Sequence, residues 1–325
     1  MRIAHVTSQL CRRSAGLGAA VSAFSAATEE AGNDVRVFGL SSRGWRERDS
    51  ADWTGAPVSV FEPATWSGPL GYAPGLLAAL LDFEPDVVHL HGLWTYPAIA
   101  ADHWSRITGR PLVVSAHGML APVALARSRR RKAVARKLFQ DRVLHGADLL
   151  HATSAGEAAS YRGAGLRNRI ETIPLGMSLT ARPEVDSSDT RRVLFVGRLD
   201  NIKGIDWLIE AWLRLHADFP HWSLSIVGPL EPVYARELER LQHRAAGSRV
   251  SFPGPLYGDG KDRYVAGSDL LVMPSRSENF GLAAAESLMM GVPVIATQGT
   301  PWSGLVPADA GWWIEPGPNS LEQAL

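Results

Sequence analysis

The sequence predicts an α/β protein made of two doubly wound, parallel-sheet domains, and three observations predict it. Its 325 residues exceed one ordinary hydrophobic core and fit two domains of roughly 150 residues each. Apolar, β-branched runs alternate with helical patterns almost from end to end, as in parallel sheets covered by helices. Between two such series lies the polar stretch Arg182-Pro183-Glu184-Val185-Asp186-Ser187-Ser188-Asp189, whose composition suits a linker. The expected division is therefore 1–180, a linker at 181–190, and 191–325.

In the first half, strands are expected at Ile3 to Thr7, Val35 to Gly39, Val87 to His91, Leu112 to Ala116 and Leu149 to Ala152, with helices at Gly18 to Ala31 and Tyr96 to Thr108. In the second half the strands are Val193 to Val196, Leu224 to Val227, Val250 to Phe252, Leu270 to Met273 and Val292 to Ala296. Helices there fall near Ile205 to Ala217, Pro232 to Ala245 and Leu282 to Met290. Doubly wound domains bind ligands beyond the carboxyl ends of their strands, so the loops after each strand are where chemistry is to be sought.

With 46% hydrophobic and 20% charged residues the chain can bury a large core. Its one cysteine, Cys11, cannot form an internal disulfide, which points to a cytoplasmic setting. The run Met1 to Thr7 is too short for a signal peptide, and nowhere do ~18 apolar residues follow one another as a membrane span requires. The zero net charge conceals an asymmetry. Up to Pro183 there are 21 Lys+Arg against 15 Asp+Glu, and beyond it 12 against 18, so the parts carry +6 and −6. Much of the positive excess is Arg127, Arg129, Arg130, Arg131, Lys132, Arg136 and Lys137, in a stretch without an acid. No zinc or aromatic-interleaved motif accompanies it, so nucleic acid is not the expected partner. A solvated helix face, contact with anionic lipid at the inner face of the membrane, and an acidic acceptor stay open.

Two loops of the second half carry the chemistry. Val193-Leu194-Phe195-Val196 runs into Gly197-Arg198-Leu199-Asp200-Asn201-Ile202-Lys203-Gly204, which places two permanent cations at a strand's end beside glycines. A departing diphosphate needs such cations, or a metal, to neutralise it. The chain has no Asp-x-Asp metal motif; Glu184-Val185-Asp186 is the nearest approach, so neither metal nor cofactor is expected. Taken alone the loop has a second reading, a surface turn with two solvated charges. The second loop, Ser275 to Glu286, opens a helix in which Phe280, Gly281 and Leu282 are expected to supply the first amides, an anion site suited to phosphate. Asn279 adjoins them. Glu286 on the helix can accept both hydroxyls of a ribose, and Glu278 can face a sugar.

Together, the Gly-Arg-Leu-x-x-x-Lys-Gly loop and the Glu-x7-Glu pair Glu278 and Glu286 resemble the retaining glycosyltransferases of family 4, the group 1 family, which have the GT-B fold of two Rossmann-like domains across a cleft. The resemblance covers essentially the whole chain. It implies that Arg198 and Lys203 contact the donor diphosphate, Glu286 the ribose and Glu278 the donor sugar, with Gly197, Asn279, Phe280, Gly281 and Leu282 completing the donor site. The implied reaction is metal-independent, retaining transfer from a nucleoside diphosphate sugar to a saccharide or lipid-linked acceptor, in polysaccharide or glycolipid synthesis. Open alternatives are a nucleotide-sugar epimerase and a non-catalytic sugar-nucleotide-binding protein.

In the first half, Ala15-Gly16-Leu17-Gly18 matches where the family carries a Gly-Gly loop, with Ala15 at the first glycine. His117, in Ser115-Ala116-His117-Gly118, matches the histidine that contacts the donor sugar. Of His89 and His91, one is expected to pack in the sheet and one, His91 for preference, to line the cleft; His5 is read as a core residue. Trp94 and Trp302, beside motif loops, are candidate platforms for sugar rings. The family commonly has a Glu near Trp302-Ser303-Gly304, absent here. A helix starting near Asn319 ends at Leu325, where family members commonly continue.

Overall fold

The computed structural model describes residues 1–8, 10, 16–41, 53–177, 182–185 and 190–325. Cys11, Ala15 and half of the expected linker, residues 181 and 186–189, lie outside them. The chain divides into two compact units, Met1–Met177 and Ser178–Leu325.

Unit 1 contains β1 (Arg2–Thr7), α1 (Gly16–Glu30), β2 (Asp34–Leu40), β3 (Val58–Phe61), α2 (Gly75–Phe83), β4 (Val87–His91), α3 (Tyr96–Thr108) and β5 (Leu112–Ser115). It continues through α4 (Pro122–Ala126), α5 (Arg129–Ala135), α6 (Asp141–Gly146), β6 (Leu149–Ala152), α7 (Ala155–Gly163) and β7 (Ile170–Thr172). A π-helical turn, Arg136–Gln140, joins α5 to α6. The strands form one parallel sheet in the order β3-β2-β1-β4-β5-β6-β7. Strand residues alternate between two cores. Ala4, Val6, Val88, Leu90 and Val114 pack with Leu76, Leu80 and Trp104 of α2 and α3, while Ile3, Val35 and Val37 pack with Leu17 and Val21 of α1.

Unit 2 repeats the plan with β8 (Arg191–Val196), α8 (Ile205–Leu215), β9 (Trp222–Val227), α9 (Ala235–Arg244), β10 (Val250–Gly254), α10 (Gly258–Ala266) and β11 (Leu270–Met273). Then come α11 (Leu282–Met289), β12 (Val294–Thr297), β13 (Gly311–Ile314) and α12 (Pro318–Ala324). Its parallel sheet runs β10-β9-β8-β11-β12-β13. The buried residues of α8, Ile205, Leu208, Ile209, Ala211 and Trp212, recur at helical spacing, one stripe against the sheet. The last helix closes the same core: Leu321 is fully buried, and Glu322 pairs with Arg214 of α8 at 2.7 Å.

All ten expected strands are present, each end within two residues of its expected place. Three strands, β3, β7 and β13, are additional. Each is an outermost strand of three or four residues, too short for a period to show. The helix after β11 begins at Leu282, as expected. Gly281 is its cap, in a left-handed conformation at φ 85°, so the Phe280 and Gly281 amides precede the helix.

Candidate active site

Strand order reverses direction on either side of β1 and β4 in unit 1 and of β8 and β11 in unit 2. The loops after those strands flank a topological switch point, the binding position of doubly wound sheets. The loops after β8 and β11 are the two that sequence reasoning selected.

These loops are locked together by backbone. Arg276 N–H donates to the Ile202 carbonyl at 2.8 Å. Gly204, at φ 66°, passes so close to the end of β11 that a Cβ there would lie 2.0 Å from the Pro274 carbonyl oxygen, so no other residue fits. Arg276 grips Asp206 with two hydrogen bonds of 2.9 and 2.6 Å and lies 3.8 Å over the Trp207 ring. The outcome is that Lys203 of the first loop pairs with Glu278 of the second, and Ser275 Oγ donates to the same carboxylate oxygen at 3.5 Å. The Lys203 stem also flanks Gly197.

Arg198 turns the other way, to Glu231 on the loop after β9, at 3.0 Å. Glu286, on α11, accepts a hydrogen bond from Lys261 of α10 at 2.6 Å through Oε1. Glu231 and Lys261 were not foreseen. The segment Gly258-Asp259-Gly260-Lys261-Asp262 reads as a turn, and becomes helix because Val265 and Ala266 are buried behind it. Trp302 is a prop for the second loop: its Nε1 donates to the Phe280 carbonyl at 2.7 Å, and a Cβ on Gly281 would lie 3.0 Å from that nitrogen and 2.8 Å from Met273 Sδ.

In unit 1 the register sets a polar patch on one face of the sheet. His5 pairs with His89, His91 with Ser115, and Ser115 with His151, and alternate residues of a strand share a face. His89 and His91 therefore share one face, and of the two it is His91, the one preferred for the cleft, that is buried (1% exposed), while His89 is half-buried. Phe24 of α1 covers the patch, edge-on to His89 and His151 at 5.6 and 5.2 Å between centroids. Hydrogen bonds link His5 Nε2 to Thr28 Oγ1 (3.2 Å), His5 Nδ1 to His91 Nε2 (2.9 Å), and His91 Nδ1 to His117 Nε2 (3.0 Å). A second series links His89 Nε2 to Ser115 Oγ and Ser115 Oγ to His151 Nδ1, both at 2.7 Å. Burial pushes His5 down to about 4 and His117, despite the opposing Glu157 carboxylate, also to about 4. His89 and His91 are pushed well below the usual histidine value, first by burial and then by their imidazole neighbours.

Nitrogens of His5, His89 and His91 fall within 4.8 Å of one another, close enough for a metal. Since His5 Nδ1 and His91 Nε2 already bond each other, this patch is satisfied as a hydrogen-bonded network. His91, the last residue of β4, is 1% exposed and hydrogen-bonds His117 in the turn after β5. Both His117 (φ 49°) and Trp94 (φ 73°) hold left-handed backbone, the kind of strain that collects at functional sites. Trp94 N–H donates to Gln140 Oε1 at 2.7 Å, and Lys132 stands 5.6 Å over its ring, so one cation of the basic stretch faces inward. Glu157, buried at the start of α7, accepts from Gly118 N–H and from Thr153, fixing the turn after His117. Its Ser154-x-x-Glu157 spacing is a helix-start signal that would have found it. Gly16 opens α1 with nothing within 4 Å of a Cβ.

Two cations, Arg198 and Lys203, thus stand on a loop at the switch point of a doubly wound α/β unit. The family described as glycosyl transferases group 1 matches residues 190–325, and the glycosyl transferase 4-like domain matches residues 15–176. The chain belongs to the group 1 glycosyltransferases. It is 31% identical over 237 residues to the D-inositol 3-phosphate glycosyltransferase of Geodermatophilus obscurus, covering 65% of this chain and 51% of that relative. The enzyme of the same name from Pseudarthrobacter chlorophenolicus is 28% identical over 314 residues, 87% of this chain and 74% of the relative. The chain thus spans about half the length of the first relative. Among solved structures, Anabaena HepE in complex with UDP and glucose superposes with a TM-score of 0.77 at 21% identity, over 99% of this chain and 89% of that one. The fold is GT-B.

Proposed function

We propose that this chain transfers a hexosyl group from a nucleoside diphosphate sugar to an acceptor hydroxyl, with retention and without a metal ion. The observation that carries the reading is the meeting of Lys203 and Glu278 from the two loops flanking the switch point of unit 2. As the bond from the anomeric carbon to the β-phosphate oxygen breaks, Lys203 and Arg198 neutralise the departing diphosphate, exchanging their carboxylate partners for phosphate. The new bond joins the anomeric carbon to the acceptor oxygen, and the acceptor proton passes to the leaving phosphate. Lys261 holds Glu286 through one oxygen, which leaves the other for ribose hydroxyls. Retention follows the family resemblance.

A panel of nucleotide sugars, UDP-glucose among them, tests the reading by melting temperature, with and without EDTA. A donor at a hundred times its Kd stabilises the native state by about 2.7 kcal/mol, and this stabilisation is expected to survive chelation. If no nucleotide sugar raises the melting temperature, the reading fails.

The acceptor we favour is lipid-linked. Among the described residues no helix is long and apolar enough to cross a membrane, but the basic stretch exposes Val134 (58%) and Leu138 (70%) one helical turn apart, among the exposed Arg129, Arg130, Arg131 and Lys137. Apolar side chains among cations suit an anionic bilayer surface. Binding to phosphatidylglycerol vesicles is expected at low salt and is expected to fall in 0.5 M NaCl, where the Debye length is about 4 Å; indifference to anionic lipid would remove the contact.

A further inference from the structure

The two series of hydrogen bonds in unit 1 each end on a backbone carbonyl, and a carbonyl can only accept. That fixes every proton behind it. Thr28 Oγ1 donates to the Phe24 carbonyl, which uses its one hydrogen, so His5 Nε2 must be the donor in its bond to Thr28. A neutral His5 then offers Nδ1 as acceptor, and His91 Nε2–H donates to it. His91 Nδ1 in turn accepts from His117 Nε2–H. The second series obeys the same rule independently. His151 Nε2–H donates to the Ile173 carbonyl at 2.7 Å, Ser115 Oγ–H donates to His151 Nδ1, and His89 Nε2–H donates to Ser115.

We propose that Thr28, acting through His5 and His91, fixes His117 as its Nε2–H tautomer, so that its bare Nδ1 accepts a hydrogen bond from a ligand hydroxyl. Among the described residues nothing hydrogen-bonds that nitrogen, and His117 is half-buried at the end of β5. His91 and His5, each 1% exposed, touch no ligand; they are positioning residues whose tautomers pass the polarity set at Thr28 outward over three imidazoles. That the hydroxyl belongs to a sugar rests on the function proposed above, whereas the tautomer does not. The neighbouring titratable groups are His89 and His151 on the same sheet face and Glu157 behind the turn. Of these, Glu157 already accepts from Gly118 N–H and Thr153, which leaves Nδ1 of His117 as the outward acceptor.

The test is two-bond proton–nitrogen correlation on ligand-free, nitrogen-15 histidine-labelled protein near pH 7.5, assigned by loss of signals in His117→Gln and His91→Gln. Wild type and Thr28→Ser are expected to show a protonated Nε2 and a bare Nδ1 for His5, His91 and His117. Thr28→Val removes the terminal acceptor and is expected to convert His117 to a mixture containing the Nδ1–H form. Its KM for the donor should then rise about fivefold, the loss of one neutral hydrogen bond, with kcat less affected. An Nδ1–H His117 in the wild type overturns the proposal without any variant, and so does an unchanged pattern in Thr28→Val. Correct tautomers in a protein stabilised by no nucleotide sugar would instead sink the transferase reading alone.

Discussion

Arg198→Ala is expected to lower glycosyl transfer about 10²-fold, the usual loss when one preorganised electrostatic group is removed from a leaving-group site. Its effect on folding should be small. The Arg198–Glu231 side chains are 38% and 31% exposed, and exposed pairs contribute only about 0–1 kcal/mol. Lys203→Ala is expected to lose a similar factor in rate and, in addition, about 2–3 kcal/mol of stability, because it strands Glu278, whose side chain is 16% exposed, as a largely buried carboxylate. Adding Glu278→Gln to Lys203→Ala should restore stability and leave the rate low. Steady-state kinetics and urea unfolding of the four proteins check both halves, and an Arg198→Ala enzyme with undiminished turnover would count decisively against the donor-site assignment.

Acidification should unfold the protein through unit 1. Four imidazoles there, His5, His89, His91 and His117, are held neutral by burial, whereas in the unfolded chain each titrates near 6.5. Below 6.5 the unfolded state binds more protons than the native one, so stability falls as pH falls. The loss continues until the native imidazoles themselves charge, near 4 for His5 and His117. Each group approaches about 1.4 kcal/mol per pH unit in that window. Several together are enough to consume an ordinary stability of about 5–15 kcal/mol. Melting temperatures are expected to be flat above pH 7 and to drop steeply between 6.5 and 5, with proton uptake on unfolding. A flat profile down to pH 5 would show that the network accommodates charge.

The alternation of strands and helices was legible because parallel strands covered on both faces read as continuous apolar runs, as in Val193 to Val196. The candidate site loops were legible because Gly197, Gly204 and Gly281 punctuate strand ends beside the charged residues Arg198, Lys203, Glu278 and Glu286. What stayed hidden depends on contacts between distant segments. Glu231 and Lys261 become site residues only because sheet order brings the loop after β9 and the helix α10 beside the motif loops, and their local sequence carries no mark of it. The histidines were visible as residue types, but their chain of hydrogen bonds is a property of register: His5, His91 and Ser115 lie on three strands from distant parts of the sequence. Trp302 shows the same limit, since its indole holds the Phe280 turn through one bond that no spacing predicts.

The pairing of Arg198, Lys203 and Lys261 with Glu231, Glu278 and Glu286 also bears on how a donor arrives. An anionic ligand approaching this unit meets nearly balanced ion pairs rather than a concentrated positive field, so long-range attraction adds little to its capture rate. On the proposed function, entry is a partner exchange at close range, and the association rate for a nucleotide sugar should change little with ionic strength even though Arg198 and Lys203 are assigned to its phosphates.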